Sequence, residues 1–301
     1  MIRGLHVWVL ALLGAALTAC GGSTSTGEIV VTTNILGDVV RNIVGDTAEV
    51  RVLMKPNADP HSFGVSAQDA AAMNSAGLIV YSGFGLEENI IRNVESAAEA
   101  GVSTLAVGEQ IDPIEYTEGD SAGTPDPHFW TDPQRMITAV DVIEETTIRE
   151  VDGIDSAAVS RNAEQYREQL RELDTMMARD FAAIPAQRRK LVTNHHVLGY
   201  LAQRFDFTVI GAIVPSGTTL AAPSPADLQS LVETIESAQV PAIFVDSSQP
   251  EKLANVLAQQ AGVHVRIVPL YSESLGPPGT PGGTYLDMMR ANTGSIVTGL
   301  R

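Results

Sequence analysis

SAAVSRNAEQYREQLRELDTMMARDFAA (156–183) reads as one long helix with a single apolar stripe. Tyr166, Leu170, Leu173, Met177 and Phe181 recur every three or four residues, which puts them on one face. At 1.5 Å per residue the helix is on the order of 40 Å long. Pro185 ends it. On both sides of this helix the chain alternates short β-rich runs with helical patterns. Upstream, EIVVTT (28–33), AEVRVLM (48–54), GLIVYSG (77–83) and VSTLAV (102–107) read as strands. Helical patterns fall at 35–44, 66–76, 86–100 and 133–151, with Ser66 as an N-cap and Asp69 in the capping-box position. Downstream, KLVTN (190–194), FTVIGAIV (207–214), PAIFVD (241–246) and VHVRIV (263–268) read as strands, with helices at 197–204, 225–238, 251–261 and 284–300. Such alternation predicts parallel sheets covered on both faces. The expected fold is therefore α/β: two lobes, each a mainly parallel sheet flanked by helices, joined by one rigid connecting helix. The expected bounds are 28–154 for the first lobe, 155–184 for the connector and 185–301 for the second lobe.

The segment ahead of the first lobe does not belong to this fold. MIRGLHVWVLALLGAALTAC (1–20) has Arg3 and then an apolar run over 7–17, too short to span a bilayer with these flanks. Residues 1–19 read as an export signal. Leu17-Thr18-Ala19-Cys20, followed by two glycines, resembles a bacterial lipobox, so Cys20 is expected to carry lipid and anchor the chain to the membrane. It is the only cysteine, which rules out an intramolecular disulfide. Residues 20–27, ending in GSTSTG (22–27), form a flexible tether. The expected location is extracytoplasmic, at the cell surface or in the periplasm. Without Arg3, 18 basic residues face 36 acidic ones. A surface of that sign disfavours nucleic acid and anionic lipid and draws in cations.

Only five of the six histidines lie beyond the signal. His61 follows Asp59-Pro60 in the loop after the second strand. His128 lies in DPHFWTDP (126–133) and closes an acidic loop over 108–127 that holds Asp112, Glu115, Glu118, Asp120 and Asp126. His195 and His196 follow KLVTN directly. His264 sits inside a strand pattern and reads as structural. His61, His128 and His195 thus fall at the C-terminal ends of strands or just ahead of helices, where open α/β sheets bind ligands. A lone loop histidine is commonly a turn residue, but the Asp-Pro-His context occurs twice. Proline stiffens each loop, and Asp59 and Asp126 are placed to orient the imidazoles as hydrogen-bond acceptors. His196 should point away from its neighbour His195.

These segments resemble the solute-binding proteins of zinc and manganese ABC importers, also called cluster A-I or cluster 9. The resemblance spans essentially the whole mature chain. It rests on DPH (59–61) with the helix behind it, the strand ending in Gly-Phe-Gly-Leu-Glu (83–87), DPHFWTDP, VTNHHVLGYLAQRF (192–205) and LYSESLGPPGTPGGTYLDMMRANTGSIVTGL (270–300). It implies a metal held in the cleft by His61 and His128 from the first lobe and His195 and Glu273 from the second, with Asn194 as a further outer group. The stiff connecting helix predicts small lobe movements on binding, not a wide hinge closure. The resemblance also implies an ABC permease and its ATPase subunit as partners, with the chain itself a monomer.

Three departures bear on the metal. Glu273 stands where the family usually has aspartate. TTLAAPSPADL (218–228) has Leu220, Ala221 and Ala222 where manganese-type members carry a glutamate ligand. The loop before His128 is acidic and lacks the histidines of many zinc-type members, which suggests a weak cation-collecting lid. Three imidazoles and one carboxylate suit Zn²⁺ in four-coordinate geometry; Mn²⁺ prefers more oxygen and is the alternative. An exported zinc hydrolase is disfavoured, because there is no HExxH and no general-base glutamate beside a ligand. An adhesin role is one the resemblance allows. NADPH at 57–61 is a coincidence of letters, since no GxGxxG follows a strand. Ordinary histidine titration predicts that metal affinity falls below about pH 6.5.

Overall fold

The computed structural model describes residues 27–261 and 265–301. The export signal, Cys20, the tether up to residue 26, and His264 lie outside them. Among the described residues no helix is long and apolar enough to cross a membrane.

The first lobe runs β1 (Ile29–Val31), α1 (Asn34–Val44), β2 (Val50–Val52), α2 (Ala67–Asn74), β3 (Leu78–Tyr81), α3 (Ile91–Glu99), β4 (Ser103–Ala106) and α4 (Pro133–Glu150). Its four strands are all parallel, in the order β2-β1-β3-β4. The second lobe runs β5 (Lys190–Thr193), α6 (Gly199–Phe205), β6 (Thr208–Ala212), α7 (Pro225–Ala238), β7 (Ala242–Asp246), α8 (Lys252–Gln260), β8 (Arg266–Leu270) and α9 (Tyr285–Leu300). It repeats the plan, parallel throughout, in the order β6-β5-β7-β8. Between them lies α5 (Ser156–Ala182).

Most elements fall one or two residues inside their expected limits. Two depart further: the strand expected over 263–268 is Arg266–Leu270, and the helix expected over 86–100 begins only at Ile91. Phe84 and Gly85 adopt positive φ, which a helix cannot start from. Glu87 then turns inward, where its carboxylate accepts from the backbone N–H groups of Ser82 (2.6 Å) and Gly83 (3.2 Å) and from Thr32 Oγ1 (2.8 Å). Burial pushes its pKa up, and these three donors oppose that. The capping box at Ser66 and Asp69 forms as expected.

Asp155 caps α5, and Val159, Ala163, Tyr166, Leu170, Leu173, Met177 and Phe181 form its buried stripe. The helix is fastened to the first lobe by Asn162 Nδ2 donating to Ile43 O (3.2 Å). It is fastened to the second by the bidentate Arg204–Asp174 pair (3.0 and 2.6 Å). The stripe belongs to one apolar cluster that draws on both lobes, from Ile29 and Val39 to Tyr285 and Leu300. Smaller clusters lie under the outer helices of each lobe. This arrangement turns the C-terminal edges of both sheets toward one shared cleft.

Candidate metal centre

Each side chain at the cleft is delivered by a loop at a strand end, and each loop is held by a carboxylate or amide. His61 sits in a turn after β2, where Asp59 Oδ1 accepts from the His61 backbone N–H (2.9 Å). Asp126 Oδ1 accepts from the His128 backbone N–H (2.9 Å) and lies 2.7 Å from His128 Nδ1. That contact fixes the proton on Nδ1 and leaves the Nε2 lone pair facing the cleft. His195 follows β5, and Asn194 Nδ2 lies 3.1 Å from its Nδ1. Glu273 follows β8. Its backbone N–H donates to Asp246 Oδ2 (3.0 Å), which also accepts from the Ser272 N–H (3.1 Å) and hydroxyl (2.6 Å).

The structure brings His61, His128, His195 and Glu273 together. One donor atom from each lies within 4.8 Å of all the others, and among the described residues this is the only such group. His195 Nε2 and His128 Nε2 stand 3.3 and 3.4 Å from Glu273 Oε1, and His61 Nε2 stands 3.6 Å from Oε2. All four residues are at most 1% exposed. Yet His61, His128 and His195 Nε2 and both Glu273 oxygens make no hydrogen bond. The large majority of buried polar atoms in folded proteins are paired. Five unpaired ones aimed at a common point fit a bound cation. A tetrahedral centre with bonds near 2.0–2.1 Å has edges of about 3.3–3.4 Å between donors. The spacings to Glu273 lie close to that.

Burial also decides where the protons sit. Desolvation, with the nearby His128 and His195, holds the His61 pKa down to about 2. Desolvation holds His195 at about 4 against the pull of Asp246, Asp59 and Asp126. The same burial pushes Glu273 up to about 8. The expected pH window therefore moves. Near neutrality His61 and His195 are already neutral, and the proton that competes with metal is on Glu273. Affinity is expected to fall about tenfold per pH unit below roughly pH 8, with one proton released per metal ion. Calorimetric titrations at pH 7 in buffers of different ionisation enthalpy count that proton. Zero released, or equal affinity at pH 8 and pH 6, would contradict this placement.

The outer groups differ in part from expectation. Asp126 and Asn194 stand behind His128 and His195, but Asp59 does not reach the His61 ring. Its Oδ2 accepts from Ser62 (3.0 Å), Thr219 (2.6 Å) and Gln249 (3.2 Å), so it ties the first lobe to the second. Thr219 belongs to a strap, residues 214–219, that crosses the cleft from the second lobe. The strap also carries Pro215 O, which accepts from the Asp120 N–H (3.2 Å), and the Gly217 N–H, which donates to Ser121 Oγ (3.0 Å). A Cβ at Gly217 would lie 2.5 Å from the Tyr116 ring, so only glycine fits there. The acidic loop is thus more than a solvated lid. Asp112, Glu115, Glu118 and Asp120 face solvent, but Tyr116 is buried with its hydroxyl 3.1 Å from His128 Nδ1. His196 is half-buried against this loop, its ring 6.3 Å from that of Tyr116.

Sequence reasoning missed Tyr116 and Asp246. Asp246 had a readable signal: an acid closing the apolar strand PAIFVD stands at a strand's C-terminal end, where ligands bind.

The family model described as zinc-uptake complex component A, periplasmic, matches residues 29–299. The manganese-binding lipoprotein MntA of Bacillus subtilis is 33% identical over 312 aligned residues, covering 100% of both chains. The zinc-binding protein TroA of Treponema pallidum is 32% identical over 302 residues, covering 98% of this chain and 96% of the other. The solved structure of the T. pallidum periplasmic zinc-binding protein TroA matches with a TM-score of 0.82 at 31% identity, over 91% of this chain and 99% of that one.

Proposed function

This chain belongs to the ZnuA family, the metal-binding components of ABC importers, and on that premise we propose that it captures Zn²⁺ outside the cytoplasm. It then delivers the ion to a membrane permease driven by a cytoplasmic ATPase. His61, His128, His195 and Glu273 are the ligands, Zn²⁺ is the cargo, and the protein acts as a monomer tethered by lipid on Cys20. The observation that carries this reading is the convergence of three buried imidazoles, with unpaired Nε2 atoms 3.3–3.6 Å from the equally buried and unpaired Glu273 carboxylate. Three imidazoles and one carboxylate form a donor set suited to zinc. No further carboxylate joins them among the described residues, and the strap segment offers Leu220, Ala221 and Ala222 instead. The site binds and releases a cation.

Manganese is the second reading, and one observation favours it. Glu273 turns both oxygens to the centre, Oε1 toward His128 and His195 and Oε2 toward His61. Bidentate binding raises the coordination number in the direction manganese prefers.

Trp130 separates the two. Its ring lies 5.2 Å from that of His128, and its Nε1 donates to Ser272 O (2.8 Å), the residue before Glu273. Titrating the metal-stripped protein should quench or shift this fluorescence at one zinc per chain, with manganese at least about tenfold weaker. The response should vanish in His61→Ala. Equal or tighter manganese binding would overturn the zinc assignment. Calorimetry that finds neither metal bound would overturn the metal reading.

A further inference from the structure

The three imidazoles share one pattern. Each presents Nε2 to Glu273 and turns Nδ1 back into the protein. Asp126 Oδ1 stands behind His128 Nδ1 at 2.7 Å, and the Asn194 amide stands behind His195 Nδ1 with Nδ2 at 3.1 Å, where a half-turn of the amide places the acceptor Oδ1. Behind His61 Nδ1 the facing carboxylate is Glu88, with Oε1 at 3.5 Å. Neither ring nitrogen of His61 has a hydrogen-bond partner, although the residue is only 1% exposed. A neutral imidazole that gives its Nε2 lone pair to a metal carries its proton on Nδ1. That N–H is buried and needs an acceptor. Asp59 cannot supply one, because its oxygens already serve the His61 backbone, Ser62, Thr219 and Gln249. A closing movement of roughly 0.5 Å brings Glu88 to ordinary N–H···O length.

The same Glu88 oxygen accepts from Thr218 Oγ1 at 2.5 Å. Thr218 lies in the strap from the second lobe. One oxygen is therefore shared between the strap and a first-lobe imidazole. The Glu88 side chain is 38% exposed, so it keeps water around its charge.

Taking the metal reading above as given, we propose that Glu88 is the positioning residue of His61 and that Thr218 sets its place. Glu88 fixes the His61 tautomer and ring angle from behind. Seating the strap aims the carboxylate, and lifting the strap releases it. Strap closure and the readiness of His61 to bind are then one event. The role expected of Asp59 passes to a residue 27 positions after the histidine it serves.

The test compares the full-length protein with Glu88→Ala, Glu88→Gln and Thr218→Val. Zinc affinity is read by chelator competition, zinc dissociation by stopped flow, and the imidazole tautomer by ¹⁵N-histidine NMR. Glu88→Ala should weaken zinc about 10–100-fold, the usual effect of removing such a partner. Glu88→Gln, which keeps an acceptor oxygen, should retain most of the affinity. Thr218→Val should speed zinc release. The His61 Nδ1–H signal, present in the zinc-bound protein, should be lost to exchange in Glu88→Ala. Wild-type affinity in Glu88→Ala overturns the proposal. Equal losses in the alanine and glutamine variants also overturn it, by making Glu88 a distant charge instead of an acceptor. A wild-type release rate in Thr218→Val overturns the link to the strap. Failure of the unaltered protein to bind zinc at all is a separate result, and it sinks the metal reading.

Discussion

Glu273→Gln is expected to abolish high-affinity zinc binding while leaving the metal-free protein as stable as before. Burial keeps the Glu273 carboxyl protonated near neutrality in the metal-free site, so a neutral amide of the same shape replaces it at little cost. The amide lacks the anionic oxygen that zinc requires. Apparent zinc affinities of about 10–16 kcal/mol for four-ligand sites assign roughly a quarter of that to each donor, or about two to three orders of magnitude in affinity. At a free zinc concentration 1,000 times the unaltered Kd, ligand linkage stabilises the protein by about 4 kcal/mol. That corresponds to a Tm rise of about 8–16 °C for a chain of this size. The variant should show a rise of only about 1–6 °C at the same zinc concentration, and an unchanged Tm without metal. It should also lose the proton release predicted for the unaltered site. A variant that keeps the full zinc-induced rise would remove Glu273 from the ligand set.

Asp246→Ala is expected to damage both fold and site. One carboxylate at the end of β7 organises the loop that carries Glu273. Its Oδ2 takes the Ser272 N–H, the Ser272 hydroxyl and the Glu273 N–H, and its Oδ1 takes the Ser248 N–H (2.7 Å) and the Ser248 hydroxyl. Alanine strands the buried Ser272 and Glu273 donors, at a cost of about 3 kcal/mol or more. Denaturant unfolding should register that loss. Zinc affinity should fall on the order of 100-fold, because Glu273 is no longer held in place. Asp246→Asn still offers one oxygen to the Glu273 side of the loop and should recover much of the affinity. A destabilised Asp246→Ala protein with unchanged Kd would separate the loop's stability from the geometry of its ligand.

The parts of the chain that were legible in sequence are those governed by local patterns. The α5 stripe, the alternating strands and the capping box at Ser66 depend on residues a few positions apart. The histidines were legible because they are scarce and because Asp-Pro-His occurs twice. What was not legible depends on pairs far apart in the chain. Glu88 stands behind His61 because the loop after β3 folds beside the loop after β2. Asp246 serves Ser272 and Glu273 across neighbouring parallel strands. Asp59 was read by adjacency as a partner of the His61 ring, yet its free oxygen turns to Thr219, 160 positions away. The late start of α3 has the same origin, since Glu87 is drawn inward by donors from β1 and the end of β3.

The apolar stripe of α5 lies in one cluster supplied by both lobes. The two lobes look like separate bodies in outline, but neither keeps that core if the other melts. Heating should therefore produce a single cooperative transition, with no stage in which one lobe survives alone. Strain or stabilisation introduced at the cleft is then felt by the whole chain, which behaves as one folding unit.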